Sequence, residues 1–569
     1  MRNTIVPVGL LAAGLFGASA FAGNAPLEVI LTSEAAAPGT EGGTKFLSFM
    51  APAIAENGTV GFVGNLSSSS QSSGLWVGST GNWTLLAREG QSITGGFGPL
   101  KSLVGSGIAF NGSSQTAFIA RSGAGDGILR VFRASHASGV QVIASVGQQA
   151  PGMLIGVTFR DFGDPVINAT GQISFNASLE GPGITAANQG SVWLYSAGVL
   201  LPVLKGGDIP NIAQPTTTVR ELMLPLLNSS GKLAFGGVVQ GPLVAPINES
   251  ARWTATNWSP SLQIVGGTLV PLSEDGGGYL VRRVLPGMHR MNSAGTIVFF
   301  ADHDDWLSVT KFAHSIWLTS PTGIIPIVTR NTTLQAYGEP LNVAAFSSVA
   351  IDAVGNVHFK ATVMGSQVTT DTDNGFFTRL PSGAVVQRVR SGQLGVGVPG
   401  ARQTLELSPY AAVGPQGELL LSAPLKGFIP GVRYDRLLFV NYPNGLSAKV
   451  VATGDSVLVN GVGKTISAIG NYYAGNGQDG LASSTNAAGQ FVFRVQFTDN
   501  SWAIVRHQLQ PACPGDFNGD RFVDDEDFSF FAGYYDALLS GPGDLDQNGA
   551  CDDSDFVVFS GNYAALVCP

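Results

Sequence analysis

The sequence has little charge, little histidine and little cysteine. Charged residues make up 12% of its 569 residues, and there are 6 histidines and 3 cysteines. Of the 39 acidic and 30 basic residues, 12 acidic and one basic lie from Cys513 onward, which leaves 27 acidic and 29 basic residues before it. This near-neutral body has no basic stripe, so we predict no nucleic-acid partner. Its scarcity of acidic and histidine side chains disfavours acid–base catalysis.

Long apolar runs and catalytic motifs are also missing. After residue 22 no stretch is long and apolar enough to span a bilayer, so we predict no transmembrane segment in the mature chain. The sequence contains neither the G-x-S-x-G elbow of hydrolases nor an H-E-x-x-H zinc helix. Residues 395–400 fit G-x-G-x-x-G, but no helix follows, and we interpret them as a turn between strands rather than a nucleotide site. We therefore assign no catalytic residue.

Residues 1–22 have the pattern of a secretory signal peptide. One positive charge at Arg2 precedes an apolar run over residues 5–16, and small residues follow as A-S-A-F-A. This order predicts export, with cleavage after Ala20 or Ala22. An N-terminal membrane anchor is the alternative, which the short apolar run disfavours. We expect a secreted or extracellular protein, with attachment to the cell surface as a further option.

Glycine is abundant, with 76 residues, and many glycines fall in a repeated eight-residue frame. The frame reads N-x-x-G followed by an alternating apolar run, the pattern of a strand that enters a tight turn and leaves as a second strand. Strong copies occupy residues 168–175, 228–235, 292–299 and 486–493. Weaker copies occupy 55–62, 352–359, 414–421 and 103–110, the last with Ser106 in place of the glycine. Most copies lie about sixty residues apart, and a fixed period indicates one repeated structural unit.

Each repeat predicts about four short strands. After the frame comes an aromatic or apolar strand, for example 191–195, and a second apolar strand past a small turn, for example 199–204. Eight such units predict an all-β fold, a β-propeller of about eight four-stranded blades over residues 27–509. The last repeat has only two strands after its turn, and a lone strand at 27–31 would complete it and close the ring. Seven blades and an open β-solenoid are the alternatives.

This repeated frame is similar to that of a bacterial family of secreted tandem-repeat proteins named for an N-x-x-G-x-x-A-F motif. The similarity covers roughly residues 27–509, and only the repetition of the motif is specific. It implies export, a repeated β body, a variable C-terminal anchor and no established chemistry.

The tail, residues 513–569, repeats oxygen-bearing side chains at a fixed spacing. They fall at positions 1, 3, 5, 9 and 12 of a loop, which recurs 28 residues later. With a backbone carbonyl at position 7, this set suits the hard cation Ca²⁺. The predicted ligands are Asp516, Asn518, Asp520, Phe522, Asp524 and Asp527, then Asp544, Asp546, Asn548, Ala550, Asp552 and Asp555. A helix-like segment follows each loop, at 528–535 and 556–563.

The duplicated loop and helix, with aspartate at position 12, resembles a dockerin module. The resemblance implies Ca²⁺ as the cofactor and a cohesin-type receptor, on a scaffold or the cell surface, as the partner. Position 6 is Gly549 in the second loop but Arg521 in the first, where a non-glycine must adopt a left-handed conformation, so we expect weaker binding there. An acidic disordered tail is the alternative, and aromatic residues repeated in register argue against it.

In dockerins, loop positions 10 and 11 help to contact the partner. The matching residues here are Asp525, Glu526, Asp553 and Ser554. This acidic set departs from the hydroxyl-rich pairs common in cellulosome dockerins, and it leaves the identity of the receptor open.

All three cysteines lie in the tail. Cys513 and Cys568 bracket it, and a disulfide between them would staple its ends in an exported protein. Cys551 takes loop position 8, where the first loop has Val523, and we predict a small buried side chain there. A reactive thiol is the alternative.

Two functions fit these patterns. The first is an exported, non-catalytic binding or surface protein, tethered through the tail. The second is a carbohydrate-active hydrolase or lyase on the same ring, delivered to a polysaccharide-degrading complex, which would require two carboxylates to meet in a channel. The cluster at 302–305 (D-H-D-D), beside Trp306, is a candidate metal or sugar site, and we favour a polar loop that closes a blade. The low acidic content of the body favours the first function.

Overall fold

The structure is a computed structural model of the chain. It describes residues 27–67, 72–103, 108–111, 113–209, 216–242, 244, 249–271, 278–305, 308–320, 323–329, 332–336, 339–393, 403–426, 435–510, 513–517, 522–536, 543, 545 and 551–565. The expected signal peptide, 1–22, the expected turn at 395–400 and Trp306 lie outside these residues.

Eight antiparallel sheets make up the described part of the body, and we number them as blades 1 to 8 along the chain. Strand β1 is Glu28–Thr32. Blade 1 contains β2 Phe46–Phe49, β3 Ala53–Ile54, β4 Val60–Leu66, β5 Ser73–Ser79 and β6 Asn82–Arg88. Blade 2 contains β7 Ser92–Ile93, β8 Gly98–Leu103, β9 Ala109–Phe110, β10 Thr116–Ser122, β11 Ile128–Ser135 and β12 Gly139–Ser145. Blade 3 contains β13 Thr158–Phe162, β14 Val166–Ile167, β15 Ile173–Glu180, β16 Gly190–Ser196 and β17 Val199–Lys205.

The second half of the body continues the series. Blade 4 contains β18 Thr218–Leu227, β19 Lys232–Gln240, β20 Ser250–Thr256 and β21 Ser259–Val265. Blade 5 contains β22 Leu269–Pro271, β23 Gly278–Met291, β24 Ile297–Asp305, β25 Ser308–Ser320 and β26 Gly323–Thr329. Blade 6 contains β27 Thr333–Ala336, β28 Glu339–Ile351, β29 Val357–Met364, β30 Asn374–Arg379 and β31 Val385–Arg390. Blade 7 contains β32 Ala412–Val413, β33 Leu419–Pro424, β34 Arg436–Asn441 and β35 Ser447–Ala452, and blade 8 contains β36 Ser456–Val459, β37 Val462–Ile469, β38 Gln490–Phe497 and β39 Trp502–Gln508.

The N-terminal strand completes the last blade, as predicted. Strand β1 pairs antiparallel with β39, with Glu28 opposite Arg506 and Thr32 opposite Ala503. The Arg506 guanidinium lies 2.6 Å from the Glu28 carboxylate. The two ends of the body are therefore joined in one sheet, and the all-β, eight-bladed ring is confirmed. A uniform count of four strands per blade is not confirmed, because two of the eight sheets have four strands and the others have five or six.

Apolar clusters join each blade to the next all the way round the ring. Eight such clusters each combine buried residues from two consecutive blades. The closing cluster packs Ile30 and Ile504 of blade 8 against Phe46 and Trp76 of blade 1. Burying these faces removes apolar surface from water at every joint, which is the main source of stability for such a body.

The repeated frame positions one large apolar side chain at the same point in most blades. The last residue of the frame is buried and lies opposite an aromatic residue of the next strand, as in the pairs Phe175–Trp193 and Phe235–Trp253. Such cross-strand aromatic pairs stabilise a sheet. The alternating apolar run of the frame therefore forms the strand that leaves the turn, such as β15 in blade 3, as the sequence predicted.

Blade 2 corrects one predicted copy of the frame. The sequence placed it at 103–110 with Ser106 as the turn residue, and Ser106 lies outside the described residues. The turn that matches the other blades begins at Asn111, and Phe118 pairs with Phe132 as Phe175 pairs with Trp193. The frame therefore occupies 111–118, eight residues later than predicted. Ser114 takes the glycine position with φ +57°, a left-handed conformation that hid the copy because glycine usually fills it.

Two short helices follow the ring in the described residues, where helix-like segments were predicted. Helix α1 is Asp525–Asp536 and α2 is Asp553–Ala565. They share a small core of their own that includes Val523, Phe531, Cys551 and Phe559. We refer to residues 513–569 as the C-terminal module. No described helix is long and apolar enough to cross a membrane.

Candidate functional sites in the ring and the C-terminal module

The asparagine that opens the frame has two tasks. In blade 3 the Oδ1 of Asn168 accepts hydrogen bonds from the backbone N–H groups of Thr170 and Gln172, at 3.2 and 3.0 Å, and so holds its own turn. Its Nδ2 donates to the backbone carbonyl of Asn228 in blade 4, at 3.0 Å. Because Asn168 is 3% exposed, both contacts are shielded from water. The motif therefore connects neighbouring blades as well as forming a turn.

The same inter-blade hydrogen bond recurs around the ring. We call this series the asparagine relay. Its donor and acceptor pairs are Asn111 to Asn168, Asn168 to Asn228, Asn228 to Asn292, Asn292 to Asp352 and Asn486 to Ala55. The frames of blades 1, 6 and 7 begin with Ala55, Asp352 and Gly414, whose side chains have no amide group to donate. The relay is therefore interrupted at three joints.

A different network occupies the joint between blades 6 and 7. The Oδ2 of Asp352 lies 3.4 Å from Nε2 of His358, whose Nδ1 lies 2.9 Å from the hydroxyl of Thr378. The guanidinium of Arg388 donates to Thr378 and to the backbone carbonyl of Gly417 in blade 7, each at 3.0 Å. Burial lowers the pKa of His358. Burial also opposes ionisation of Asp352, but hydrogen bonds from His358 and Asn356 outweigh it and lower its pKa. These side chains are buried and replace the missing asparagine link.

Residues 470–484 form an insertion in the inner strand of blade 8, which we call the central segment. In blade 3 three residues separate β13 from β14, whereas fifteen residues separate β37 from the bridge at Thr485. The central segment bonds to the inner strands of the other blades. Its backbone carbonyls at Ser483, Gly480, Asp479 and Gly475 accept from Ile54, Ile167, Leu227 and Val413 at 2.8 to 3.1 Å.

Side chains of the central segment reach the remaining blades. Gln478 accepts from the backbone N–H of Ser293 in blade 5, and Asn476 donates to the carbonyl of Ile351 in blade 6. Tyr473 packs on the apolar cluster between blades 1 and 2. One segment thus contacts all seven other blades at the turn end of their inner strands, and it closes the centre of the ring there.

Asp479 places a carboxylate in this closed centre. It is 3% exposed, and its Oδ2 lies 3.9 Å from Nε of Arg290. Burial raises the pKa of Asp479, and the positive charge of Arg290 partly opposes that rise. Oδ1 accepts from the backbone N–H of Leu481 at 3.3 Å. The carboxylate therefore has a structural task in shaping the central segment.

Two small pockets border the central segment. The first is lined by apolar residues that include Met50, Ile108, Phe110 and Tyr473. The second adds polar groups, among them Arg290, Ser348, His358 and Tyr410. Each has room for about one water molecule. Neither contains two carboxylates, the pair that glycoside hydrolysis requires.

The candidate cluster at 302–305 lies on strand β24, so the favoured interpretation of a loop was wrong. Asp302 lies 2.6 Å from Nδ1 of His314 on the next strand, and Asp304 pairs with Arg282 on the preceding strand. His303 is fully buried, with Nδ1 2.8 Å from the hydroxyl of Ser315. Alternate residues of a strand point to opposite faces, which separates His303 from its acidic neighbours.

In the C-terminal module the two halves mirror each other. The hydroxyl of Tyr563 on α2 donates to Oδ1 of Asp525 on α1 at 2.6 Å, and Tyr535 on α1 donates to Asp553 on α2. Asp525 and Asp553 are the position-10 residues that the resemblance assigned to partner contact. Each helix therefore holds the start of the other, and the sequence duplication is also a structural one.

Each helix begins with a capping box built from two predicted calcium ligands. Asp524 accepts from the N–H of Glu526 at 2.9 Å, and Asp527 accepts from the N–H of Asp524 at 3.1 Å. Asp552 and Asp555 repeat this arrangement in the second half. Asp527 and Asp555 are fully buried, and Asp516 is 5% exposed. Asp527 also accepts from the N–H of Phe517 at 2.7 Å, which ties the helix to the start of its loop.

These positions fit the chemistry of a calcium site. Hydrogen-bond donors, a cationic side chain or a metal ion stabilise a buried carboxylate, and Arg521 is the single basic residue of the module. Phe522 is described and its carbonyl is the predicted position-7 ligand of the first loop. Among the described residues no three acidic, histidine or cysteine side chains converge as a metal cluster. The other predicted ligands, Asn518, Asp520, Asp544, Asp546, Asn548 and Ala550, lie outside the described part.

Of the two cysteine predictions, one is confirmed and the other stays a prediction. Cys551 is fully buried and packs in the core of the module, as predicted. Cys513 lies in the same core. Cys568 lies outside the described residues, so the bridge between Cys513 and Cys568 stays a prediction.

Apolar side chains also stand on the outer surface of the two helices. Phe528, Phe530, Phe556 and Val557 are 44 to 69% exposed. Phe528 and Phe556 follow directly after the two position-12 aspartates and are equivalent in the two halves. Exposed large apolar side chains on so small a module are typical of a contact surface.

Sequence reasoning missed the asparagine relay and the central segment. The segment had a signal in the spacing of the frames. With the frame of blade 2 at 111–118, the interval between frame ends from Leu421 to Phe493 is 72 residues, whereas the earlier intervals are 56 to 64 residues. The relay had a weaker signal, namely that asparagine rather than another turn residue recurs at the first position of the frame.

Comparison with known proteins finds similar proteins for the ring. Solved structures that align with the chain include the β-propeller domain of the Trilobed protease from Pyrococcus furiosus, with 7% identity, 72% of this chain and 100% of that chain covered, and a TM-score of 0.34. A prolyl endopeptidase aligns with 12% identity over 82% of this chain and 55% of its own, with a TM-score of 0.33. The Hadza microbial sialidase Hz136 aligns with 10% identity over 67% and 73%, with a TM-score of 0.28.

No curated protein matches the sequence. Residues 9–224 and 212–505 match one protein family, so the match covers nearly the whole ring and ends before the C-terminal module. On that match the chain belongs to the family of unknown function DUF7453.

Proposed function

We propose that the protein is an exported, non-catalytic binding or surface protein, tethered through its C-terminal module. The proposal rests on the two equivalent halves of that module. In each half a buried aspartate at loop position 12 caps the helix, and a tyrosine of each helix bonds to the other half. A compact acidic unit of this kind would bind Ca²⁺ and present one folded face to a receptor. A cohesin-type receptor, on a scaffold or the cell surface, is the partner we propose.

Calcium would act as the structural partner of the buried carboxylates. Asp516, Asp524 and Asp527, with the carbonyl of Phe522, would supply the described part of the first site. Asp552 and Asp555 would supply the described part of the second site. Because hard oxygen ligands at flexible distances suit Ca²⁺ better than transition metals, we propose Ca²⁺ at both loops. Metal binding of this kind is coupled to folding, so the receptor face would exist only in the loaded protein.

Two features of the ring support binding rather than catalysis. The central segment closes one end of the ring and fills its centre with backbone hydrogen bonds. The pockets beside it are lined mainly by apolar side chains and have room for about one water molecule each. A ligand would therefore meet the outer faces of the blades, where loops present recognition groups. A polysaccharide is one ligand class for such a face.

Calcium binding is tested on the full mature chain by calorimetric titration after removal of divalent ions. We expect saturable binding with a stoichiometry approaching two, and loss of both sites in the double variant D527A/D555A. The matched control is Asp126→Asn, an exposed aspartate on blade 2 that should leave binding unchanged. Absence of calcium binding by the wild-type chain would refute the proposed metal site.

Tethering is tested by incubating the same proteins with envelopes of the producing cells, with calcium or with a chelator. We expect retention of the wild-type and D126N chains in calcium, and release of both by the chelator. Equal retention with chelator would show that the tail does not act through calcium. Release of reducing ends from a polysaccharide by the wild-type chain would instead support the hydrolase or lyase function.

A further inference from the structure

Among the described residues of the ring, three arginines have almost fully buried side chains, and they differ in how many protein oxygens accept hydrogen bonds from them. Arg130 in blade 2 donates to the hydroxyls of Ser145 and Ser122 and to backbone carbonyls. Arg388 in blade 6 donates from all three nitrogens, to Asn441, Thr378 and Gly417. Protein oxygens thus accept from Nε and Nη1 of Arg130 and from all three nitrogens of Arg388.

Arg252 in blade 4 is the exception. It is fully buried, and its Nη2 donates to the backbone carbonyl of Leu285 at 3.1 Å. Its Nε and Nη1 are buried without a hydrogen-bond partner among the described residues. The guanidinium carbon lies 4.8 Å from the ring centre of Phe299 in blade 5, a cation–π contact that covers one face. Two donor nitrogens therefore remain for a further ligand.

The two strands that flank Arg252 in its sheet place no charged residue directly opposite it. Its cross-strand partners are Gly236 and Ile264, which carry no charge. Directly opposite residues lie on the same face of a sheet, so Gly236 adds no side chain beside the guanidinium. Ser250, two residues earlier on that face, accepts from the N–H of Val284 at 2.6 Å and can turn its hydroxyl hydrogen toward the same space.

We propose that Arg252 and Ser250 form a buried site for a small monovalent inorganic anion, such as chloride, at the joint between blades 4 and 5. The anion would accept from Nε and Nη1 of Arg252 and from the hydroxyl of Ser250.

An anion satisfies this site better than a water molecule does. A water can accept the hydrogen bonds, but it leaves a positive charge buried among apolar side chains. Burial lowers the pKa of Arg252 to about 9, which still keeps the guanidinium charged at neutral pH. The neighbouring blades bury Ile264, Val281, Val284 and Phe299 in one apolar cluster, which shields the ion pair from screening by solvent.

The ion is located directly by anomalous scattering from crystals of the full mature chain grown or soaked in sodium bromide. We expect a bromide peak within hydrogen-bonding distance of Nε and Nη1 of Arg252. A water molecule or a protein oxygen in that position, with no anomalous signal, would overturn the proposal.

Solution stability gives an independent readout that needs no crystal. Thermal unfolding is compared in sodium chloride and in sodium gluconate at equal ionic strength, since gluconate is too large for the site. We expect the wild-type Tm to be higher in chloride by roughly 2 °C or more, through linkage of ion binding to folding. No difference between the two salts would contradict the proposal.

Two variants separate the ion from the loss of a buried arginine. Arg252→Met keeps the length of the side chain and should abolish the chloride effect. Arg130→Met removes a guanidinium that protein oxygens satisfy, so it should lower Tm in both salts and keep the chloride effect. A chloride effect that survives in Arg252→Met would place the ion elsewhere and overturn the assignment.

Discussion

The ring and the C-terminal module achieve order by opposite means. The ring, with 27 acidic and 29 basic residues before Cys513, joins its blades by apolar clusters and by neutral amide hydrogen bonds such as that from Asn168 to the carbonyl of Asn228. The module has 12 acidic residues and one basic residue, and it buries the carboxylates of Asp527 and Asp555. Apolar clusters and amide hydrogen bonds need no cation, whereas buried carboxylates that lie close together are stabilised by one. The difference suggests that calcium acts on the module and leaves the ring unchanged.

A substitution at Gly480 should cause the largest loss of stability in the ring. Its φ is +82°, and a Cβ there would lie 2.7 Å from the carbonyl of Leu227 and 3.2 Å from Val166. Gly480→Ala should therefore cost about 3 kcal/mol of unfolding free energy or more, from backbone strain and overpacking together. Denaturant unfolding of the ring, followed by tryptophan fluorescence, measures it.

Gly461 is the matched control for Gly480. It has the same φ of +82°, but a Cβ there meets nothing within 4 Å. Gly461→Ala should cost only about 1 kcal/mol, the strain of the left-handed conformation. Equal costs for the two variants would show that the central segment does not pack closely against the blades.

The asparagine relay is tested by Asn168→Ala. The change leaves the N–H groups of Thr170 and Gln172 and the carbonyl of Asn228 without their partner, so we expect a loss of about 2 kcal/mol. Asn82→Ala, at an exposed turn of blade 1, is the control and should stay within about 0.5 kcal/mol of the wild type. A loss that appears in the module rather than in the ring would contradict the comparison.

Asp479 predicts a pH dependence that belongs to the ring. Its pKa in the folded protein is raised, so the folded state binds the proton more tightly than the unfolded state does. Ring stability should therefore fall as pH rises from the ordinary aspartate pKa through the raised value. Asp479→Asn removes the titrating group and keeps the turn, so it should flatten this fall. Urea unfolding between pH 4 and pH 8, about the range where a carboxyl with a raised pKa titrates, measures the profile of stability against pH. The same profile in the wild type and in Asp479→Asn would assign the dependence to other groups.

Tyr563 offers the smallest effect, and it belongs to the module. Tyr563→Phe removes the hydroxyl that donates to Asp525 but keeps the aromatic side chain packed against Phe559. Because this contact is exposed, we expect a slight loss of calcium affinity and no change in the unfolding of the ring. Titration calorimetry of the full chain measures the affinity. A shift in ring unfolding would mean that the two regions are coupled.

The sequence predicted the ring because its period is carried by large buried residues. Phe175 and Phe235 recur with the frame, and the lone strand at the N-terminus had one place to pair. The frame of blade 2 was misplaced because Ser114 performs the task of a glycine. The strand count differs among blades for two reasons. The inner strand is broken in some blades, as between β13 and β14, and a short additional strand, such as β22 or β27, pairs with an unbroken inner strand in others.

The sites were harder to predict than the fold. The spacing of Asp524, Asp527, Asp552 and Asp555 predicts metal ligands, which stays a prediction. The structure shows that these residues cap both helices. The central segment contacts seven blades that are distant in sequence, so no local pattern identifies its course. Arg252 was not singled out, because an isolated arginine in a strand looks like any surface residue until its burial is known.

The central claim is that calcium orders the C-terminal module and that the ring folds without it. Differential scanning calorimetry of the full mature chain, with calcium and then with excess chelator, tests it most directly. We predict two transitions, of which the smaller, assigned to the module, is lost or moves to much lower temperature with chelator while the larger stays in place. A scan in which chelator changes neither transition, or lowers the larger one as much as the smaller, would contradict the claim.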